Sequence, residues 1–367
     1  MKEHILFIID GLPGGGAENV TLRLAASLSK SNYQVSLLSL NTQLDYTIPE
    51  DIHYIVSLDD YRGPLRKLNE ISRRAKAMDK VLFKLFQQKG KPTLVISNLH
   101  KTDRIVVKSK ILNNCNVWHC IHGIYSQSYL SNKSGFSYWI KKEKIKKVYE
   151  NKKIICVSDA VSNDLLSNIG IKPKQIKTIY NPFDFEKIKA QASETNSYHG
   201  LNYILHVGRL HQVKRQDRLI DAFAKANLPC KLIIVGQGSK EIEACLKVKI
   251  HEYELDDKVI LAGFQSNPHP IINGAKAVVI SSDSEGLPTV LIEALICHTP
   301  IVSTDCPGGV REIMTGQLKN YLSSLDADSL AEKIRLAYNI PPQITDELYK
   351  KFEASNIQKQ YIELIEK

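Results

Sequence analysis

Ala277-Val-Val-Ile-Ser-Ser-Asp-Ser-Glu-Gly-Leu-Pro-Thr-Val-Leu-Ile-Glu-Ala-Leu-Ile296 reads as a strand, a turn and a helix in immediate succession. Ala277 to Ser281 is a short apolar run of buried-strand type, Gly286-Leu287-Pro288 punctuates it, and Thr289 to Ile296 has helical character. Pro288 is expected at or near the first helical position, where its missing N–H costs nothing. The N–H groups of Thr289 and Val290 then point into the turn together with the positive end of the helix dipole, which suits a phosphate. Glu285 and Glu293 flank that anion site, seven residues lying between them. Carboxylates repel phosphate, so the pair makes sense if each accepts hydrogen bonds from hydroxyl groups on either side of a diphosphate. Taken singly, Glu285 is equally explained as a solvated loop residue, and Glu293 as an exposed helix position whose charge favours the N-terminal half. Together, with the Ser/Asp/Gly/Pro turn between strand and helix, they form a more specific pattern.

The same alternation of short apolar strands and amphipathic helices extends in both directions, which predicts α/β layers on parallel sheets. Strands are expected at Ile5–Ile9, Gln34–Leu40, Leu94–Ser97, Asn116–Ile121 and Lys153–Val157, with helices over Glu18–Ser29 and Leu65–Gln88. The second half repeats the design at Tyr203–Val207, Lys231–Val235, Val259–Leu261, Ala277–Ile280 and Pro300–Ser303. Two doubly wound, Rossmann-like domains are therefore expected, 1–185 and 186–344, facing across a cleft. The polar, strand-poor stretch from Pro182 to His199 marks the boundary between them. A last helix over 345–367, after Pro341-Pro342, is expected to cross back to the first domain. Ligands of such sheets sit beyond the carboxyl ends of the strands.

Composition agrees with two ordinary cores: 367 residues, 43% of them hydrophobic and 24% charged. No apolar run approaches the ~20 residues of a membrane span, and the apolar part of Met1 to Asp10 suits a first strand better than a signal peptide. The seven cysteines are scattered without metal spacing, as reduced core thiols of a cytoplasmic protein would be. The net charge of +10 is uneven: residues 1–185 hold 28 Lys and Arg against 16 Asp and Glu, and the remainder is slightly acidic. Much of the excess lies between Arg62 and Lys110 and between Lys141 and Lys153.

After the strand Tyr203–Val207 comes Gly208-Arg209-Leu-His-Gln-Val-Lys214, and then a helix with Leu219, Ile220, Phe223 and Ala226 at helical spacing. Arg209 at the strand tip and Lys214 in the loop are expected to converge on a diphosphate, although either alone is equally a solvated base. A guanidinium fork and a point charge together neutralise the charge that grows on a leaving nucleotide. Gly236 in Val235-Gly-Gln-Gly238 permits close backbone approach to a nucleotide. Phe264 ends Ala262-Gly-Phe264, which serves equally as ordinary strand-end structure. Gly308-Gly309 is expected to make a tight turn. In the first half, Pro13-Gly14-Gly15-Gly16-Ala-Glu18 joins strand to helix with glycine spacing wrong for a dinucleotide fingerprint. Asn116–Ile121 leads into His122-Gly-Ile-Tyr125, a strand-end histidine whose ring suits orienting a hydroxyl or receiving a proton.

Glu285-x7-Glu293, Gly208-Arg209-Leu-x3-Lys214 and Gly15-Gly16-x-Glu18 resemble the signatures of the retaining glycosyltransferases of family 4. The resemblance spans almost the whole chain and is densest from Tyr203 to Ile313. It implies the GT-B fold, with an acceptor-binding first domain and a nucleotide-sugar-binding second domain. It also implies that Glu285 holds the donor sugar, Glu293 the ribose, and Gly15, Gly16, Gly208, Arg209, Lys214, Gly236, Phe264, Gly286, Leu287, Pro288, Thr289 and Val290 the rest of the donor. His122 would stand beside the reacting groups, with Gly14 and Tyr125 bordering the acceptor. Asn181-Pro182-Phe-Asp184 departs from the family's Asn-Gly-Val-Asp hinge at Pro182, so a role for that turn is left open. The reaction implied is transfer of a hexose-type sugar from a nucleotide-sugar, with UDP favoured, to a lipid-linked, lipopolysaccharide or capsule glycan. Arg209 with Lys214 can do a metal's electrostatic task, so no metal or other cofactor is expected.

Between Arg62 and Lys91, Leu65, Leu68, Ile71, Met78, Val81, Leu82, Leu85 and Phe86 recur at helical spacing, with Arg66, Lys67, Arg73, Arg74, Lys76, Lys80 and Lys84 between them. A core-packed helix with a solvated basic face explains this pattern. So one-sided a charge also attracts anionic headgroups at about 1 kcal/mol per basic residue, with Arg73, Arg74, Lys80 and Lys84 as the contacts. The run Lys141 to Lys147, preceded by Phe136-Ser-Tyr-Trp139, adds interfacial aromatics. No stacking platform or recognition motif supports nucleic acid. A cytoplasmic enzyme peripherally bound to the inner face of the membrane is expected. Two alternatives are a nonhydrolysing sugar-nucleotide epimerase, which needs no acceptor, and a binding module that has lost catalysis.

Overall fold

The computed structural model describes residues 2–13, 15–63, 67 and 69–365. Two compact units emerge, one of Met1–Pro182 with Ala354–Lys367, the other of Phe183–Glu353. The first holds β1 (His4–Ile9), α1 (Gly16–Lys30), β2 (Gln34–Ser39), β3 (Ile52–Val56), α2 (Glu70–Lys89), β4 (Leu94–Asn98), α3 (His100–Val106), β5 (Val117–Ile121), α4 (Tyr125–Leu130), α5 (Gly135–Tyr149), β6 (Lys153–Cys156), α6 (Asp159–Asn163) and β7 (Gln175–Thr178). Its seven strands pair in the order β3-β2-β1-β4-β5-β6-β7, all in parallel. The reversal between β1 and β4 is the switch point of a doubly wound sheet.

The second unit holds α7 (Phe185–Ala192), β8 (Tyr203–Val207), α8 (Gln216–Ala226), β9 (Lys231–Val235), α9 (Lys240–Glu252), β10 (Val259–Gly263), α10 (His269–Asn273), β11 (Val278–Ile280), α11 (Thr289–Ile296), β12 (Ile301–Thr304), α12 (Val310–Ile313), β13 (Leu322–Ser323) and α13 (Ala327–Asn339). Its parallel order is β10-β9-β8-β11-β12-β13, with the switch between β8 and β11. Every strand read from the sequence is present. β3, β7 and β13 were not read, because they are short edge strands that lack a continuous apolar run: β7 is Gln-Ile-Lys-Thr, partly exposed along its length.

Two expectations change. The helix of the first half begins at Glu70, and Leu65, Arg66 and Leu68 lie outside the described residues. Pro288 stands next to the first helical residue, as expected, capping α11 with extended backbone before Thr289. The terminal helix is shorter than 345–367. Residues 345–353 form short 3-10 turns within the second unit, where Phe352 is buried edge-on against Phe183 and its carbonyl accepts from the Phe183 N–H at 3.0 Å. Only α14 (Ala354–Ile362) belongs to the first unit, packed on α1 through Ser27 Oγ donating to Gln358 Oε1. Among the described residues, no helix is long and apolar enough to cross a membrane.

Candidate active site

The second unit gathers its polar side chains beyond the carboxyl ends of β8 and β11. His206, next to last in β8, is buried. His206 Nδ1 lies 2.9 Å from the Val279 carbonyl and Nε2 lies 3.2 Å from Gln216 Nε2, so the ring donates through Nδ1 and accepts at Nε2. Burial lowers its pKa to about 4, so the ring is neutral. Gln216 also donates to the Arg209 carbonyl at 3.1 Å, which ties the start of α8 to the loop that carries Arg209. The Arg209 side chain itself is exposed. Close approach sets the floor of this region: at Gly236, with φ of 144°, a Cβ would meet the Gly208 carbonyl oxygen at 2.0 Å.

Lys214 and Glu285 meet directly. Lys214 Nζ lies 2.6 Å from Glu285 Oε1, and Ser282 Oγ donates to the same oxygen at 2.6 Å. The carboxylate is buried while the ammonium stays partly open to solvent. The turn that presents Glu285 is braced on several sides. Arg218 donates to the Ser281 carbonyl and to Asp283, Arg215 also pairs with Asp283, and Ser281 Oγ donates to the Lys214 carbonyl at 2.8 Å. The Asp283 N–H donates to the Val213 carbonyl, so the loops after β8 and β11 are bonded through both backbone and side chains.

The Glu285 backbone pairs with a second loop. Its N–H donates to the Pro307 carbonyl at 3.0 Å, and Gly308 bridges to it as in a parallel sheet. Gly308 has φ of 127°, and a Cβ there would stand 1.5 Å from the Glu285 carbonyl oxygen. The residue read as a turn glycine is therefore the backbone wall against which Glu285 rests. Glu293 is not the exposed helix position that it resembles when taken alone. α11 is buried along Val290–Ile296, and Glu293 is buried with it, its Oε2 4.0 Å from His269 Nε2. Gly286, Leu287, Pro288 and Thr289 form the entry to α11, and Phe264 is exposed after β10.

In the first unit, Gly15 caps α1 and Gly16 opens it, with the Gly15 carbonyl accepting from Tyr46 OH at 2.9 Å. Gly14 lies outside the described residues. His122 is half-buried after β5, its Nε2 3.0 Å from Asn98 Oδ1. Tyr125 is buried and engages the Tyr149 hydroxyl at 2.9 Å, so its phenol serves a hydrogen-bond network and not an open acceptor surface. Arg74 corrects a second expectation. It is buried, 2.6 Å from Asp10 and 2.9 Å from the Leu40 carbonyl, and so pins α2 to the ends of β1 and β2. Arg73 is likewise held, by Asp59 at 2.9 Å and over the Tyr61 ring. Lys80 and Lys84 are exposed as read.

The model of Glycosyltransferase Family 4 matches residues 14–187, and that of Glycosyl transferases group 1 matches 187–359. The chain is 30% identical over 315 residues, 85% of its length and 83% of the relative's, to an N-acetylgalactosamine-N,N'-diacetylbacillosaminyl-diphospho-undecaprenol 4-alpha-N-acetylgalactosaminyltransferase of Campylobacter jejuni. The chain belongs to glycosyltransferase family 4. It is also 27% identical over 388 residues, 98% of both chains, to a Campylobacter jejuni GalNAc-alpha-(1->4)-GalNAc-alpha-(1->3)-diNAcBac-PP-undecaprenol alpha-1,4-N-acetyl-D-galactosaminyltransferase. An Anabaena protein crystallised with UDP and glucose superposes with a TM-score of 0.77 over 98% of each chain at 19% identity, which shows the GT-B fold. Within this glycosyltransferase, Ser282, Asp283, His206 and Asn98 were missed by sequence reasoning, and Gly308 was read only as a turn glycine. Ser282 and Asp283 stand inside the quoted stretch but carry no signal of their own there.

Proposed function

We propose that this glycosyltransferase transfers a hexose-type sugar from a UDP-sugar to a lipid-linked, lipopolysaccharide or capsule glycan, with retention at the anomeric carbon and without a metal. The observation that carries this reading is the Lys214–Glu285 pair at the entry to α11. A cation and a carboxylate held in contact before any donor arrives separate the two halves of a sugar nucleotide. Lys214, with Arg209, takes the diphosphate and Glu285 takes the sugar hydroxyls. Lys214 then exchanges part of its contact with Glu285 for the phosphate, while Ser282 keeps the carboxylate in place. As the sugar–oxygen bond breaks, the growing charge on the leaving diphosphate is met by Lys214, Arg209 and the first N–H groups of α11. Glu293 receives the ribose hydroxyls. In the retaining course the acceptor oxygen attacks on the face that the diphosphate leaves, and a leaving phosphate oxygen takes the acceptor's proton. The undecaprenol-linked substrates in the names of the two Campylobacter relatives support the acceptor class, and the UDP bound in the Anabaena neighbour supports the base.

The test is turnover with UDP-, GDP- and ADP-sugars and membrane extract as the acceptor source, with and without EDTA. UDP release that needs the acceptor, an anomerically retained product and no loss in EDTA are the expected results. Isomerised sugar nucleotide formed without acceptor would identify an epimerase. Binding without any turnover, unchanged by Glu285→Ala, would identify a binding module.

A lipid-linked acceptor calls for a membrane-facing surface, and the first unit offers an apolar and basic one. Phe83 is 58% exposed on α2 above a shallow hollow of about 450 Å³ that it lines with Ile111, Asp79, Lys80 and Lys84. The Asp79 carboxylate accepts from the Ser109 hydroxyl and the Lys110 N–H. On α5, Phe136 and Trp139 are exposed and stacked, centroids 6.0 Å apart. Lys80→Ala with Lys84→Ala is expected to weaken binding to anionic vesicles about 30-fold, at about 1 kcal/mol per lysine. Co-sedimentation with phosphatidylglycerol vesicles measures it, and equal binding to neutral vesicles would overturn the electrostatic part.

A further inference from the structure

The first sheet reverses its strand order between β1 and β4, and in doubly wound sheets ligands bind beyond the carboxyl ends of the strands at such a reversal. Two charged residues stand there. Asp10 follows β1 directly, and Lys101 belongs to α3, which the chain enters from β4 through Leu99 alone, at a strained φ of 74°. Lys101 Nζ lies 2.8 Å from Asp10 Oδ2, and Arg74 Nη2 lies 2.6 Å from Asp10 Oδ1. The two cations have different tasks. Arg74 is buried and also donates to the Leu40 carbonyl, so it neutralises Asp10 for the fold. The Lys101 side chain is 57% exposed, and an exposed ion pair added to a carboxylate that is already paired contributes little to stability. Asp10 itself keeps some exposure, each of its oxygens can accept a second bond, and the Lys101 ammonium has further donors. The second unit repeats the arrangement at its own reversal, where partly open Lys214 rests on Glu285, a carboxylate that Ser282 also holds. Charge decides what the first unit's pair can take. Glu70 lies 3.6 Å from the Arg74 guanidinium, so two cations face two carboxylates, and the cluster has no formal charge left for a phosphate. What it offers is an acceptor and a donor side by side, which suits neighbouring hydroxyls of a neutral sugar.

We propose that Asp10 and Lys101 form a sugar-binding subsite of the first unit, in which Asp10 accepts a hydrogen bond from one hydroxyl of a neutral sugar and Lys101 donates to the neighbouring oxygen. The sugar is one of the acceptor glycan, and that assignment rests on the transferase reading above. Asp10 is the fixed half of the subsite, locked by Arg74. Lys101 is the adjustable half, exchanging part of its contact with Asp10 for the incoming oxygen. Sequence offers no sign of this, because a strand-end aspartate and a surface lysine 91 positions away carry no joint signal.

Lys101→Ala tests the subsite without threatening the fold, since Arg74 still neutralises Asp10, and Lys101→Arg is its conservative partner. Saturation-transfer NMR of the whole enzyme with the methyl glycosides of N-acetylgalactosamine, galactose and glucose reads binding directly. At least one glycoside should bind the wild type. Lys101→Ala should weaken that binding about five-fold, the scale of one lost hydrogen bond, and Lys101→Arg should recover most of it. In turnover with membrane extract, Lys101→Ala should raise the acceptor KM about five-fold and leave kcat and the sugar-nucleotide KM within about two-fold. A merely structural role would move both KM values together and lower the melting temperature. Equal glycoside binding by wild type and Lys101→Ala, or none by the wild type, overturns the subsite. Inorganic pyrophosphate that binds the wild type and loses affinity in Lys101→Ala makes it an anion site and overturns the neutral ligand. Weakened glycoside binding with an unchanged acceptor KM overturns its assignment to the acceptor. Failure of the wild-type enzyme to turn over any sugar nucleotide strikes the transferase reading instead, and the glycoside arm still decides the subsite.

Discussion

Lys214→Ala is expected to lower kcat by about two to three orders of magnitude, the usual cost of removing one donor aimed at developing charge. The geometry makes the effect specific. Lys214 Nζ is 2.6 Å from Glu285 Oε1, partly open to solvent, and held by a loop whose backbone is tied to Asp283 and Ser281. The fold should survive, since Glu285 keeps its bond from Ser282. Glu285→Ala should also depress kcat, with a different signature in binding. Lys214→Ala should weaken UDP itself, whereas Glu285→Ala should leave UDP affinity nearly intact and weaken the sugar nucleotide relative to UDP. Because the two side chains touch, their effects should not add, and the double variant should lose less than the product of the single losses. Steady-state kinetics with UDP inhibition, run on all three variants, reads both quantities. A Lys214→Ala enzyme with wild-type kcat would remove the carrying observation from the proposed function.

Gly308→Ala should be the most damaging glycine substitution in the second unit. At φ of 127° any side chain is strained, by about 1–3 kcal/mol. The added Cβ would also stand 1.5 Å from the Glu285 carbonyl oxygen, so one of the two loops must move. Strain alone predicts a melting shift of roughly 2–12 °C, and displacement of the Glu285 backbone predicts loss of transfer beyond that. Gly200→Ala is the matched control: its φ is +83° but open space surrounds it, so it should cost stability and leave kcat unchanged. Thermal melting and kcat measured on both variants separate strain from displacement. Equal activity in the two would mean that the close approach at Glu285 does not matter.

Much of the fold was legible because buried parallel strands are written as continuous apolar runs. His-Ile-Leu-Phe-Ile-Ile at β1 and Tyr-Ile-Leu-His-Val at β8 have no other plausible place than a sheet interior. β3 and β7 escaped because edge strands need not be apolar on both faces. The basic helix was readable as a helix, yet its charges were not sortable. Spacing puts Arg73, Arg74, Lys80 and Lys84 between apolar positions alike, and only packing shows that Arg74 is buried against Asp10 while Lys80 and Lys84 face water. The aromatic Phe83 was likewise indistinguishable from its buried neighbours Leu82 and Leu85 until the helix was docked.

By itself the sequence determined the strand-turn-helix that carries Glu285 and Glu293, the parallel architecture around it, and the residue types that a diphosphate-bearing sugar demands. Those are local properties, fixed by apolar periodicity, turn chemistry and helix-end electrostatics over a few consecutive residues. Tertiary structure alone decided which of those residues touch. Lys214 meets Glu285 from 71 positions away along the chain, Gly308 walls the same residue from a third loop, and Asn98 Oδ1 meets His122 Nε2 from a neighbouring strand. Contacts of that kind arise where the carboxyl ends of adjacent parallel strands bring distant loops together. No spacing along the chain records them.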